Sequence, residues 1–168
     1  VIFTNPGGPG ASGVGFLRDA SSVFPAEIRN SFDLVSWDPR GVGASAPVDC
    51  GADLDAFYAV DHDPRSAQTV AQNIAATKAF VATCKQNSAS VLPYVSTGAT
   101  VRDLDAIRAA IGESHISYVG FSYGTLIGEM YADEFPARVR AMVLDGVVDP
   151  SHSYADTTLD QAKSFDDD

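Results

Sequence analysis

The chain is poor in cysteine, methionine, tryptophan and positive charge, and each shortage closes off a class of function. Two cysteines, Cys50 and Cys84, stand among 168 residues. They have no Cys-x-x-Cys spacing, so neither a zinc site nor a thioredoxin-type redox motif finds support. Spacing alone leaves a disulfide and two separate buried thiols both open. Eleven Lys and Arg against 22 Asp and Glu give a net charge of -11. Such a surface repels polyanions wherever salt does not screen it, so no nucleic-acid partner is expected. No apolar run approaches the roughly 20 residues of a membrane-spanning helix, and no basic-then-apolar leader opens the chain. Internal repeats, low-complexity tracts and Pro/Ser-rich linkers are also lacking. What remains is 45% hydrophobic and 20% charged, an ordinary globular composition with enough chain for one core. Composition does not set an oligomeric state.

Short apolar runs alternate with helical patterns. Residues 1–4, 32–37, 116–121 and 139–144 read as buried strands closed by turn residues. Between them, residues 68–85 place Val70, Ile74, Thr77, Val81 and Cys84 at helical spacing, with Cys84 inward. Thr100-Val101-Arg102-Asp103 resembles a capping box, and Val101, Leu104, Ile107 and Ile111 continue as a stripe until Gly112 stops the helix. A further helix is expected from Tyr123 to Phe135, ahead of Pro136. This alternation implies parallel strands joined by right-handed crossovers: an α/β fold with helices on both faces of the sheet. Four strands are few for such a sheet, so both ends are expected to be cut.

Gly120-Phe121-Ser122-Tyr123-Gly124 is a Gly-x-Ser-x-Gly motif. It gains weight from its setting, because a strand runs directly into Ser122 and a helix leaves directly after it. In that geometry Ser122 is a nucleophile with its hydroxyl exposed at the carboxyl end of the sheet. Gly120 and Gly124 are needed where side chains would collide as strand and helix pack. Acyl transfer also needs donors for the developing oxyanion, worth roughly 3 to 4 kcal/mol each. The Tyr123 N–H is the first candidate. The second is expected from Asn5-Pro6-Gly7-Gly8-Pro9-Gly10 after the first strand, with the Gly8 N–H preferred and Gly7 in reserve.

Gly8-Pro9-Gly10-Ala11-Ser12-Gly13 also fits the dinucleotide fingerprint Gly-x-Gly-x-x-Gly, and the next strand ends near Asp38. Against an NAD-type oxidoreductase, the first glycine lies several residues past the strand and Pro9 removes a backbone donor.

Taken in order, Asn5-Pro6-Gly7-Gly8-Pro9-Gly10, Trp37-Asp38-Pro39-Arg40-Gly41-Val42-Gly43-Ala44-Ser45, Gly120-Phe121-Ser122-Tyr123-Gly124-Thr125 and Val143-Leu144-Asp145-Gly146-Val147 resemble the secreted tripeptidyl aminopeptidases of actinobacteria. These are relatives of proline iminopeptidase within the α/β-hydrolase fold. The resemblance implies a serine exopeptidase, exported or envelope-associated, that uses no cofactor or metal and removes short peptides or single residues from substrates with a free N-terminus. It implies that residues 38–45 form a structural turn near the site, with Asp38 and Arg40 paired, and that Cys50 and Cys84 form a disulfide. It also implies that residues 1–150 are the front of the hydrolase core and that 151–168 begin a cap region. The Asp and His of the triad then lie beyond residue 168. Asp145, Asp149 and His152 follow Ser122 in the right order but stand too close together to come from separate strand ends. His152, His115 and His62 are expected to be solvated. Two other readings share these residues: a carboxylesterase or lipase, and a non-catalytic fragment or binding module.

Overall fold

In the computed structural model the described residues are 1–19, 23–51, 54–61 and 65–166, so His62 lies outside them. They group into two compact units, Val1–Pro39 with Ser96–Asp168, and Arg40–Val95.

The first unit holds a four-stranded parallel sheet. Its strands are β1 (Ile2–Asn5), β2 (Leu34–Val35), β3 (Ile116–Phe121) and β4 (Val139–Asp145), in the order β2-β1-β3-β4. Its helices are α1 (Gly13–Arg18), α2 (Ala26–Ser31), α5 (Thr97–Ala110), α6 (Tyr123–Glu134) and α7 (Tyr154–Asp166), while α3 (Leu54–Tyr58) and α4 (Ala67–Ser88) belong to the second unit. From β1 the chain steps to one side for β2, then crosses back to place β3 on the other side. In parallel sheets such a switch point opens a crevice at the carboxyl ends of the two strands. The register pairs Asn5 with Gly120 and Phe121 with Asp145, so the loop after β1 and the turn after β3 leave the sheet side by side.

β3, expected as a buried strand, alternates in burial, with Ile116, Tyr118 and Gly120 buried and the residues between them half-buried. Phe3, Trp37, Val101, Leu104, Ile116, Tyr118, Ile127 and Tyr131 form the buried hydrophobic cluster. β2 is shorter than the expected strand over 32–37. Phe32 closes α2 through its N–H to the Ile28 carbonyl (3.0 Å). Past Val35, the Ser36 hydroxyl, in place of a backbone amide, donates to the Thr4 carbonyl at 2.6 Å. α5 begins a turn earlier than expected. Ser96 is its N-cap, accepting from the Ala99 N–H at 3.2 Å, and the Thr100 hydroxyl points back to the Ser96 carbonyl. Gly112 ends it with φ +81°.

α5, α6 and the short turn just before β4 are joined through Asp105. Its carboxylate accepts from Arg108 Nε (2.9 Å), the Tyr131 hydroxyl (3.0 Å) and Arg138. Burial raises the Asp105 pKa, but hydrogen bonds from Arg108, Arg138 and Tyr131 outweigh it and hold the carboxyl at about 2. Burial first, and then the hydrogen bond to the Asp105 carboxylate, push the Tyr131 hydroxyl up to about 12. Because the folded carboxyl titrates below its unfolded value of 3.8, its stabilisation is complete above pH 4 or so and is lost as pH falls towards 2. A shift of this size corresponds to about 2 kcal/mol. Asp105→Asn is therefore expected to lower unfolding free energy by about that much at pH 7. In urea melts, the gap between wild type and variant should close progressively on acidification to pH 2.

In the second unit, residues 41–48 form a hydrogen-bonded turn, with the Gly41 N–H donating to the Ser45 carbonyl (2.8 Å) and the Ser45 N–H to that of Val42 (2.9 Å). α4 is longer than the expected helix, and its apolar stripe does not face inward: Val70, Ile74 and Val81 are exposed. The helix is secured at its C-terminal end instead. There Cys84 is buried in a disulfide to Cys50, and the Ser88 hydroxyl accepts from the Asp49 N–H (2.7 Å) and donates to the Asp49 carbonyl (2.9 Å). The bond closes a loop with a sequence separation of 34, so its removal by Cys50→Ser with Cys84→Ser should cost about 3 to 4 kcal/mol in the chain-entropy account. Denaturant melts of oxidised and reduced protein should show the same loss.

Candidate active site

The turn between β3 and α6 carries Ser122 in a conformation that L residues rarely adopt, φ 52° and ψ -124°. Such a residue is strained by roughly 1 to 3 kcal/mol and persists only where its surroundings over-determine it. They do so here from both sides. The Ser122 N–H donates to the Asp145 carbonyl at 2.8 Å. Its own carbonyl accepts from the Thr125 N–H (2.8 Å) and the Thr125 hydroxyl (2.7 Å). The buried Thr125 Oγ1 also accepts from the Val148 N–H at 3.0 Å, linking the serine turn to the loop after β4. One residue back, the Phe121 ring packs with Phe16 and Phe24 at centroid distances of 5.7 and 6.5 Å. The Ser122 side chain itself is exposed.

The bend depends on missing side chains. A Cβ at Gly120 would stand 2.5 Å from the Gly124 carbonyl oxygen, and one at Gly124 would stand 2.5 Å from the Asn5 carbonyl oxygen. At Gly128, Cβ would press on Leu144 (2.8 Å) and Tyr118 (2.9 Å). The Tyr118 hydroxyl donates to the Gly124 carbonyl at 2.8 Å, fixing the first turn of α6 to the sheet. Burial raises the Tyr118 pKa, so it stays a neutral donor.

The glycine loop after β1 sits against this turn. Gly7 has φ +91°, and a Cβ there would collide with the Phe121 carbonyl oxygen while standing 3.0 Å from the Tyr123 nitrogen and 3.2 Å from that of Gly124. The reserve donor is already engaged: the Gly7 N–H donates to Asn5 Oδ1 at 2.9 Å. Asp38 does not resemble a ribose clamp. Its carboxylate accepts from the Ser12 hydroxyl (2.6 Å) and the Val14 N–H (3.2 Å), while Ser12 caps α1 through the Gly15 N–H (2.9 Å). In the second unit, Arg40 donates to the Tyr94 carbonyl at 3.5 Å.

Ser122 opens onto two adjoining clefts of about 570 and 500 Å³. The first is bordered by Gly8 and Pro9 on one side, and Asp149 and His152 line both. The His152 side chain is 45% exposed and stands 3.4 Å from Asp160 and 3.8 Å from Asp149, so this half-solvated histidine borders the clefts that Ser122 lines. Asp149 is lowered by hydrogen bonds from the Ser151 hydroxyl and N–H, and Glu129 is raised by burial and by Asp149. His115 is exposed and bonded to Ser114 (2.9 Å). Asn5 and Thr125 were not distinguished by sequence pattern, although both lie within motifs that are recognisable there.

Comparison with known proteins agrees with this geometry. The family model described as the alpha/beta hydrolase fold matches residues 1–168. The serine protease Hip1 of Mycobacterium tuberculosis is 44% identical over 170 residues, covering 99% of this chain and 33% of that protein. The tripeptidyl aminopeptidase of Streptomyces lividans is 41% identical over 174 residues, covering 99% of this chain and 32% of its own length. Carboxylesterase B of Mycobacterium tuberculosis is 37% identical over 173 residues, covering 98% and 33%. The chain thus spans about a third of the length of these relatives. With a parallel sheet, a strained serine turn and a family match along its whole length, the chain belongs to the α/β-hydrolase fold family.

Proposed function

We propose that this chain carries the nucleophile and anion cradle of a serine hydrolase, an exopeptidase that releases short peptides or single residues from peptide N-termini. The observation that carries the reading is Ser122, exposed on a strained turn beside a glycine loop at the switch point of the sheet. Ser122 Oγ attacks the scissile carbonyl carbon, its proton passes to a histidine, and the carbonyl oxygen becomes an oxyanion held by the Tyr123 and Gly8 amides. The histidine then protonates the leaving amine, and water hydrolyses the acyl-enzyme. The histidine and its orienting aspartate come from beyond residue 168, so residues 1–168 alone have little turnover. Engagement of the Gly7 N–H by Asn5 supports Gly8 as the second donor. Asp149 and Asp160 on the cleft wall complement the ammonium group of a free N-terminus. The disulfide supports an oxidising compartment, outside the cell or in its envelope.

The full-length gene product should hydrolyse peptide p-nitroanilides with a free N-terminus and lose that activity when the terminus is acetylated. The 37% identity to Carboxylesterase B favours a second reading, esterase activity. Preference for p-nitrophenyl acyl esters, with indifference to N-terminal blocking, would establish that reading and dismiss the first.

A further inference from the structure

Asn5 is buried to 1% exposure at the end of β1, where little room exists for a polar side chain. Its Oδ1 holds the Gly7 N–H at 2.9 Å, whereas its Nδ2 is buried with no hydrogen-bond partner among the described residues. A buried, unpaired donor is disfavoured, and where one persists it calls for an explanation in function or strain. The side chain also sits against the serine turn. Asn5 pairs with Gly120 in the sheet, and a Cβ on Gly124 would lie 2.5 Å from the Asn5 carbonyl oxygen and 3.1 Å from Oδ1. One carboxamide therefore bonds the glycine loop and lies close beside the start of α6, leaving no room for a side chain at Gly124.

We infer that Asn5 is a positioning residue that sets the loop so that Gly8, and not Gly7, presents its amide to the oxyanion. The inference rests on the acyl-transfer reading above. By taking the Gly7 N–H, Oδ1 fixes the peptide plane before Gly7 and turns that amide into the protein. The next amide in the loop, that of Gly8, is left to face the cleft it borders. Oxyanion stabilisation acts on the transition state more than on bound substrate, so loss of this alignment should appear in kcat and spare KM. Asn is suited to the place because its side chain bonds the backbone two residues on, a bond that serine can copy more weakly and alanine cannot.

The test uses the full-length enzyme and its best peptide or ester substrate. Asn5→Ala should lower kcat by roughly 10- to 100-fold, less than the loss of an oxyanion donor itself, with KM within about twofold. Affinity for a boronic acid analogue of the tetrahedral state should fall by a similar factor. Asn5→Ser, which keeps an acceptor, should recover part of both and also serves if the alanine variant fails to fold. The inference is overturned if kcat and boronate affinity stay within twofold in both folded variants. It is equally overturned if KM rises in place of the kcat loss, or if the loss merely tracks the fraction of protein unfolded. Ser122→Ala separates the two levels. Turnover that survives it sinks the acyl-transfer reading and this inference together, whereas serine-dependent turnover indifferent to Asn5 sinks only the role given to Asn5.

Discussion

Ser122→Ala is expected to lower kcat/KM of the full-length enzyme by about 10⁵- to 10⁶-fold, the scale at which removing the nucleophile of a catalytic triad registers. The loss should be chemical and not structural. The hydroxyl is exposed, the bonds that shape the turn run through the Ser122 backbone and Thr125, and alanine at the same φ carries similar strain. Thermal melting should therefore move little, and substrate should still bind. A variant that loses its fold along with its activity would show the side chain to be a support of the turn. Steady-state kinetics beside a thermal melt distinguishes the two results.

The second large effect is expected at Gly7. Its φ of +91° already disfavours any side chain, and an added Cβ would meet the Phe121 carbonyl oxygen and stand 3.0 Å from the Tyr123 nitrogen. A methyl group there occupies the space in front of a proposed oxyanion donor. Gly7→Ala should then reduce kcat by at least the roughly 10²- to 10³-fold of a lost donor, with some loss of stability from strain. Gly10→Ala is the control. Gly10 has a comparable φ of +102°, but nothing lies within 4 Å of its added Cβ. Similar stability losses with very different activities would place the Gly7 effect in the cradle. Equal activities would place it in backbone strain alone.

The parts of the molecule that were legible in sequence are those governed by local pattern. β3 and the Gly-x-Ser-x-Gly turn are adjacent in the chain, and their strand-to-helix switch is written in residues 116–134. The Asn5 to Gly10 loop was legible as a glycine-rich turn after a strand. Its closeness to Ser122 follows from the β1–β3 register, which periodicity does not encode. Where tertiary contacts decide, the pattern misled. The α4 stripe has helical spacing, yet the helix is tied down by Cys84 and Ser88 at one end while Val70, Ile74 and Val81 face out. β2 shrank because a serine hydroxyl took over from the backbone ladder. The division at residues 39/40 and 95/96 carries no linker composition, since both boundaries fall within ordinary turn and cap sequence. Asn5 and Thr125 are polar residues whose roles exist only once the sheet brings distant segments together. Thr125 binds the Ser122 carbonyl and Val148 at once, and Asn5, bonded to Gly7, is brought beside Gly120 and Gly124 by the β1–β3 pairing.

The most direct measurement is a crystal structure of the full-length protein after reaction with a fluorophosphonate. The phosphorus should be bonded to Ser122 Oγ, with the phosphonyl oxygen accepting hydrogen bonds from the Tyr123 and Gly8 amides while Gly7 remains bonded to Asn5. An adduct on another residue, or a phosphonyl oxygen turned away from residues 7–8 and 123, would contradict the site described for this chain.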